Sequence, residues 1–197
     1  MMNQRPPVSE QDIVYLPVSG IVEEIRPMDG YGQTSECSQM ITLRIGEEPD
    51  TSSLEQENET EEVGAEQIAR MAPNIVNVII GPQTCFVNGI RLYEGMRITA
   101  FHDGNAPMPL IYPPQYQALV VAEQVPGQNI YVGTFNGSMT AADHRLRLNL
   151  DESVDIVTQN GQNFYGSLAG KSLVVIYGPT TRSIPPQTTP YQIVVLC

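Results

Sequence analysis

The segment at 166–172 reads GSLAGKS and is one residue short of the phosphate-binding loop GxxxxGK[ST]. That loop needs a helix after its Lys, because the N-terminal amides of the helix face the phosphate. Here the apolar run at 173–177 follows, which predicts a strand. We interpret the segment as a turn that leads into a strand.

Two pairs of neighbouring His and Asp, at 102–103 and 143–144, contain both His residues of the chain. A nucleophilic triad needs a carboxylate that orients the His, and adjacent residues on a strand point to opposite faces. The sequence holds no His pair with zinc-ligand spacing, and Cys37, Cys85 and Cys197 are too far apart for a C-x-x-C site. We therefore predict no catalytic residues, no metal site and no cofactor.

The formal net charge of −12 is concentrated in one part of the chain. Nine carboxylates and no Lys or Arg lie between Gly46 and Glu66, which leaves 13 acids and 10 bases, or −3, elsewhere. Like charges repel, and the run has few apolar groups, so we expect a mobile acidic insert at about 46–72. Calcium would need alternating Asp or Asn ligands around a Gly, which the run lacks.

The bases form no cluster and include one Lys, so we do not expect nucleic acid as a partner. No run of about 18 apolar residues predicts a membrane span. Residues 1–18 lack the apolar core of a signal peptide, so the chain as written is expected to be cytoplasmic. The expected partner is an unknown protein or small-molecule ligand.

One pattern occurs twice in the chain, at an offset of 75 residues. GMRITAFH at 95–102 aligns with GKSLVVIY at 170–177, and YQALVV at 116–121 aligns with YQIVVL at 191–196. Between these pairs, IYPPQ at 111–115 matches IPPQ at 184–187. Shared order and a returning offset predict a duplicated unit.

Each copy contains about five candidate strands separated by Gly, Pro, Asn and Asp. Besides the aligned segments, strands are predicted at 18–25, 40–45, 75–80, 129–135, 145–150 and 154–158. The one stretch with helical periodicity, at about 65–71, is stopped by Pro73.

We expect an all-β chain of two tandem small five-stranded OB-like barrels, because a barrel closes its own edges. The alternative is a β-sandwich, which needs about seven strands and a core Trp that this chain lacks. The predicted organisation is a flexible N-terminus at 1–11, a first barrel at 12–123, a linker at 124–128 and a second barrel at 129–197.

The segment YGPTTRSIPPQTTP at 177–190, followed by IVVL at 193–196, resembles an uncharacterised bacterial β-barrel region found in Gram-positive anaerobes. The similarity is densest over about 165–196 and weaker over 86–121. In some of those proteins the region accompanies a domain similar to the N-terminal stalk domain of copper amine oxidase. The resemblance implies an OB-like fold and an envelope association, and it brings no catalytic residues.

Pro residues fix φ in the loop of the second copy, which lowers the entropy cost of presenting its polar side chains. The candidate ligand contacts in this loop are Thr180, Thr181, Arg182 and Gln187.

The alternative role of the two Pro-Pro-Gln loops is to plug the barrel ends. In that arrangement Ile111 and Ile184 are buried, and Gln115 and Gln187 bond to the backbone.

Three functions agree with these features. The first is a non-catalytic binding or assembly module of unknown ligand. The second is an enzyme whose site lies between the barrels and uses His102, Arg182 and the acidic insert. The third is an oligosaccharide or oligonucleotide binder, which predicts exposed aromatic rings on one strand face. Its candidate rings are Tyr112, Tyr116, Tyr165 and Tyr177.

Overall fold

The computed structural model describes residues 13–28, 37–46 and 74–197. Over these residues the chain is all-β, with one short 3-10 turn at Val87–Gly89 and no α-helix. The strands are β1 (Tyr15–Pro27), β2 (Gln39–Ile45), β3 (Asn74–Ile80), β4 (Cys85–Phe86), β5 (Arg97–Asp103), β6 (Gln115–Glu123), β7 (Asn129–Thr134), β8 (Arg147–Leu148), β9 (Asp155–Thr158), β10 (Ser172–Tyr177), β11 (Gln187–Thr188) and β12 (Gln192–Val195). The predicted flexible N-terminus, the acidic insert beyond Gly46 and the stretch at 65–71 lie outside the described residues.

The first half of the chain forms a closed five-stranded barrel. Strands β3, β2, β1, β5 and β6 are antiparallel neighbours in that order, and β3 also pairs in parallel with β6, so the five strands form a ring. Alternate side chains of each strand point inward, as the period of a strand requires. The buried interior consists of Val22, Ile41, Leu43, Val76, Val78, Ile80, Met96, Ile98, Ala100, Ala118 and Val121. A small barrel in this half, as the sequence predicts, is confirmed.

The second half repeats the neighbour order of the first in an open sheet. Strand β7 pairs antiparallel with β10, β10 pairs antiparallel with β12, and β12 pairs in parallel with β9. The first half has the same three pairings, of β1 with β5, β5 with β6 and β6 with β3. In the first half, β2 joins β1 to β3 and so closes the barrel. At the equivalent place in the second half, residues 139–150 form single bridges and the short strand β8, which pairs in parallel with β11. The described part of the second half therefore keeps four strands of the repeated unit without the closing strand.

The ladders do not keep the sequence offset along the whole unit. Ala100 lies opposite Val121 in the first half, whereas its counterpart Val175 lies opposite Ile193. In the structure, residues of β12 therefore occupy the places of β6 residues 72 positions earlier in the chain. This offset is three residues less than the offset of 75 in the sequence alignment. In the first half, a bulge between Phe101 and His102 shifts the ladder at this point.

Both faces of the second sheet are buried. Leu173 and Val175 point into the core of the second half, and Val174 and Ile176 point the other way. The second face packs on the outer face of the barrel, which explains the uninterrupted apolar run in β10. The shared core consists of Cys85, Val87, Phe101, Val120, Ala122, Val132, Val174, Ile176 and Val194. The two halves are thus joined by an apolar interface.

Candidate binding surfaces

The proline-rich loop of the second half is held by its own hydrogen bonds. The amide of Gln187 donates to Thr181 Oγ1 at 3.0 Å, and the amide of Thr181 donates to the Gln187 carbonyl at 2.9 Å. Ser183 Oγ lies 2.7 Å from Thr181 Oγ1 and donates to the Pro185 carbonyl at 2.9 Å. The structure thus brings together two of the predicted contacts, Thr181 and Gln187.

The other two predicted contacts, Thr180 and Arg182, are exposed on the same loop. Within the described part of the chain, their side chains make no hydrogen bond or ion pair. None of the four predicted contacts lines any of the three cavities described below. Their role as ligand contacts stays a prediction.

The plug arrangement of the two loops is wrong. Ile184 is 99 % exposed and Ile111 is 52 % exposed, so neither is buried. Gln115 Nε2 lies 4.0 Å from Met40 Sδ and makes no hydrogen bond to the backbone. The second loop closes on itself through Thr181 and Ser183 rather than packing across the sheet. In both loops the peptide bond before the Pro-Pro-Gln sequence is cis.

The corresponding loop of the first half covers an apolar cleft of about 630 Å³. His102 stacks on Tyr116 inside it, with ring centroids 4.3 Å apart. The cleft is lined mainly by apolar side chains, which include Leu16, Ile79, Pro107, Met108, Pro109 and Leu119. Arg182 does not line this cleft, so the structure does not bring it together with His102 as the enzyme hypothesis requires.

The four Tyr rings expected on one strand face are dispersed. Tyr112 and Tyr165 lie in loops of different halves and are 75 % and 90 % exposed. Tyr116 packs against the barrel core, and Tyr177 packs against the core of the second half. An aromatic row of these four residues is therefore not formed.

A second cavity is a groove of about 420 Å³ where the two halves meet; we call it the inter-half groove. Its floor is the outer face of β1 and β5, and one wall is β7. The lining residues are Tyr15, Pro17, Ser19, Thr99, Phe101, Glu123, Gln124, Gln128, Asn129, Ile130, Tyr131, Val132, Asp143 and Arg145. Most of the side chains on this surface carry hydrogen-bonding groups.

The floor of the inter-half groove carries a short chain of hydrogen bonds. Ser19 and Thr99 lie opposite each other in the β1–β5 ladder, and their hydroxyl oxygens are 2.8 Å apart. Gln124 Nε2 donates to Thr99 Oγ1 at 3.1 Å. These side chains hold one another in place while remaining at the surface.

On the wall, the Tyr131 hydroxyl donates to Asp143 Oδ1 at 2.7 Å, and Arg145 Nε lies 3.6 Å from Asp143 Oδ2. Burial raises the pKa of Tyr131 well above its ordinary value, and the hydrogen bond to the Asp143 carboxylate raises it further. Burial also raises the pKa of Tyr15. Both phenols therefore keep their protons at neutral pH and serve as fixed polar groups.

A third cavity of about 470 Å³ lies between the Val87–Gly89 turn and β9. Gln192 lines it and donates through Nε2 to Asp155 Oδ2 at 2.7 Å. The Gln192 Oε1 atom is sealed from solvent and has no partner among the described residues. A ligand in this cavity does not reach that oxygen without a rearrangement, so the inter-half groove is the better-formed polar site.

No local pattern in the sequence marks the inter-half groove. Its floor and wall come from β1 and β7, which are far apart in the chain and are brought together by the fold. Asp143 was noticed only as the neighbour of His144, which lies exposed in a turn at a φ of 59°. Ser19 and Thr99 fall within segments that the sequence marks only as strands, at 18–25 and 95–102.

Within residues 13–28, 37–46 and 74–197, no three His, Cys, Asp or Glu side chains are grouped as ligands for a metal ion. The same residues include no helix of the length and apolar character needed to cross a membrane. No protein-family model, curated protein or solved structure matches this chain.

Proposed function

We propose that this chain is a non-catalytic binding module whose ligand occupies the inter-half groove. The observation that carries the proposal is the lining of this groove, to which both halves contribute hydrogen-bonding side chains that are already fixed by one another. Such a surface loses little side-chain entropy when a ligand binds, so more of the contact energy appears as affinity.

The shared apolar core supports this proposal. Phe101 belongs to that core and also lines the groove, and so does Val132 on the opposite wall. Burial of both side chains fixes the distance between floor and wall. The groove is thus built on two packed sheets rather than on mobile loops, as a specific site requires.

We further infer that the two halves are copies of one OB-like unit, of which the second has an open form. The common order of four strands supports this inference. The resemblance of 165–196 to the bacterial β-barrel region remains a proposal with the envelope association that it implies.

A ligand screen on two groove variants tests the proposed function. Ser19→Trp fills the floor of the groove, and Met108→Trp is the matched control in the apolar cleft. We would measure binding of a mixed panel of sugars, short peptides, amines, carboxylates and aromatic fragments by ligand-observed NMR. We expect panel members to bind the wild type and the Met108 variant alike, and to bind Ser19→Trp at least about tenfold more weakly.

Two results would overturn the proposal. One is that no member of the panel binds the wild-type chain. The other is that the bound compounds keep their affinity for Ser19→Trp and lose it in Met108→Trp, which would place the site in the apolar cleft.

A further inference from the structure

Strand β7 is an edge of the second sheet for most of its length. It pairs with β10 on one side over residues 129–134. On the other side, within the described part of the chain, only its carboxyl end is met: Ala142 donates its amide to the Thr134 carbonyl at 2.9 Å, and Phe135 bridges to Ala141. The rest of this side faces the inter-half groove.

The direction of the backbone groups along β7 follows from the same contacts. The amide and carbonyl of one residue in a strand point to the same side, and the next residue points to the other side. The Thr134 carbonyl points away from β10, and the amide of Phe135 donates to Lys171 on the β10 side. Ile130 and Val132 therefore present their backbone groups to the groove, where none of the described residues provides a backbone partner.

The floor of the inter-half groove, formed by β1 and β5, extends beyond the β7 edge of the second sheet. The second sheet packs on β6 and β5 through Val120 and Phe101. The next strand of the barrel is β1, which follows β5 in the ladder, and its outward residues Pro17 and Ser19 line the groove. Adjacent strands lie about 4.8 Å apart, so one more strand beside β7 would lie above β1 and continue the packing of sheet on barrel.

We propose that the ligand of the groove is an extended peptide that pairs with β7 as an added strand; this inference rests on the proposed function. The peptide backbone bonds to the amide and carbonyl of Ile130 and Val132, as in other complexes where a peptide extends a sheet. One face of the peptide contacts Pro17 and Ser19, and the other face is exposed.

The charges at the groove indicate the composition of the peptide. Asp143 already contacts Arg145 and Tyr131, whereas the Glu123 carboxylate at the rim has no ion pair among the residues that the structure describes. Outside residues 46–66 the chain has 13 acids and 10 bases, so its remainder is also net negative. An extended peptide with a Lys or Arg opposite Glu123 is therefore favoured over an acidic one.

The experiment is a selection from a random hexapeptide library on the full chain, followed by affinity measurements on the selected peptides. Ile130→Pro removes a backbone donor that faces the groove without removing a ladder bond to β10. Ile130→Val is the matched control, and thermal unfolding of each variant shows whether it folds. We expect basic, strand-forming peptides that bind Ile130→Pro at least about tenfold more weakly than Ile130→Val.

A second test needs no variant of the protein. Each selected peptide is remade with N-methyl groups on alternate residues, which removes the donors on one edge only. We expect one of the two methylation patterns to abolish binding and the other to preserve it. Glu123→Gln should weaken basic peptides by about two- to fivefold and leave neutral ones unchanged.

The outcomes separate this inference from the proposed function. If peptides bind but tolerate both methylation patterns and Ile130→Pro, the added strand is wrong. If only sugars or small fragments bind, and Ser19→Trp blocks them, the groove is a binding site and the peptide is the wrong ligand. If nothing binds in the groove, both proposals are overturned.

Discussion

The two halves of this chain have the same order of four strands, but the first half is a closed barrel and the second is an open sheet. In the first half β2 is seven residues long and pairs with both β1 and β3, so the ring closes. In the second half the corresponding segment contributes only the two-residue strand β8, and among the residues that the structure describes the sheet is open. The two halves therefore differ by one closing strand, and the second half, which lacks it among the described residues, has an edge at β7.

This difference explains how the proposed binding groove is formed. The closed barrel pairs its strands around the ring and offers its outer face as a platform. The open sheet buries one face in its own core and the other face on the outside of the barrel. The edge of this sheet at β7 therefore lies beside the outer face of the barrel. The first half supplies the floor and the second half supplies the wall, so neither half alone forms the groove.

The largest expected effect comes from a substitution in the core that the two halves share. Phe101→Ala removes a buried ring from the shared core and should lower the free energy of unfolding by about 3–5 kcal/mol. Urea unfolding followed by NMR signals from each half measures the loss. Because the core is shared, we expect signals from both halves to shift to lower urea together. A shift confined to one half would show that the halves are energetically independent.

The next largest effect is the difference in stability loss between alanine substitutions at two glycines in equivalent positions. Gly20 lies opposite Ile98, and Gly133 lies opposite Leu173, in corresponding ladders. A Cβ on Gly20 would lie 2.5 Å from the carbonyl oxygen of Arg44 in the neighbouring strand β2. A Cβ on Gly133 would instead meet the movable side chain of Tyr131 at 2.8 Å.

We therefore expect Gly20→Ala to cost about 3 kcal/mol of stability and Gly133→Ala about 1 kcal/mol, since a backbone atom yields less than a side chain. Thermal and urea unfolding of the two variants gives the comparison. Equal costs would contradict the close approach of the β2 backbone to Gly20.

A smaller effect tests the wall of the groove. Tyr131→Phe removes the hydrogen bond to Asp143 and should cost about 1 kcal/mol at neutral pH. The pKa of Tyr131 is raised above 10.0 in the folded chain, so the folded state holds the phenol proton more tightly than the unfolded state. This stability is complete below pH 10 and is lost as the pH rises through the folded pKa.

Unfolding measured between pH 8 and strongly alkaline pH checks this sign. We expect Tyr131→Phe to show a smaller alkaline loss of stability than the wild type. Tyr15 and Tyr177, whose pKa values burial also raises, retain their own contributions in both proteins. An identical alkaline loss in the two proteins would contradict the burial of this phenol.

The smallest effect comes from the floor. Ser19→Ala removes one partner of Thr99 at the surface, while Gln124 still donates to Thr99. We expect a loss of less than about 0.5 kcal/mol in unfolding free energy, because water replaces the hydroxyl. A loss comparable to that of Tyr131→Phe would show that Ser19 is a structural residue, and its use as a groove contact would be withdrawn.

The strands of the barrel were predictable because their two faces differ. The alternation in MITLRI at 40–45 marks a strand with one face in a core, and β2 covers the same residues. The apolar run in β10 held a further signal, since an unbroken run is typical of a strand buried on both faces. The shared core on the second face of β10 was therefore predictable, but it is absent from the predictions above.

The rest depended on contacts that no local pattern records. The alternation in RLRLNL at 145–150 resembles that of β2, yet only Arg147–Leu148 forms a strand there, in parallel with β11. Whether a segment closes a ring depends on its neighbours on both sides, which the sequence of the segment does not contain. The groove has the same origin, because its floor and wall meet only after the second sheet packs on the barrel.

Amide hydrogen exchange of β7 tests the open edge most directly. The Tyr131 amide faces β10 in the ladder, whereas the Ile130 amide faces the groove. We predict that the Ile130 amide exchanges at least about tenfold faster than the Tyr131 amide in the free chain, because a paired amide exchanges only when the strand opens. Equal protection of the two amides would mean that the β7 edge is already covered, which would contradict the account.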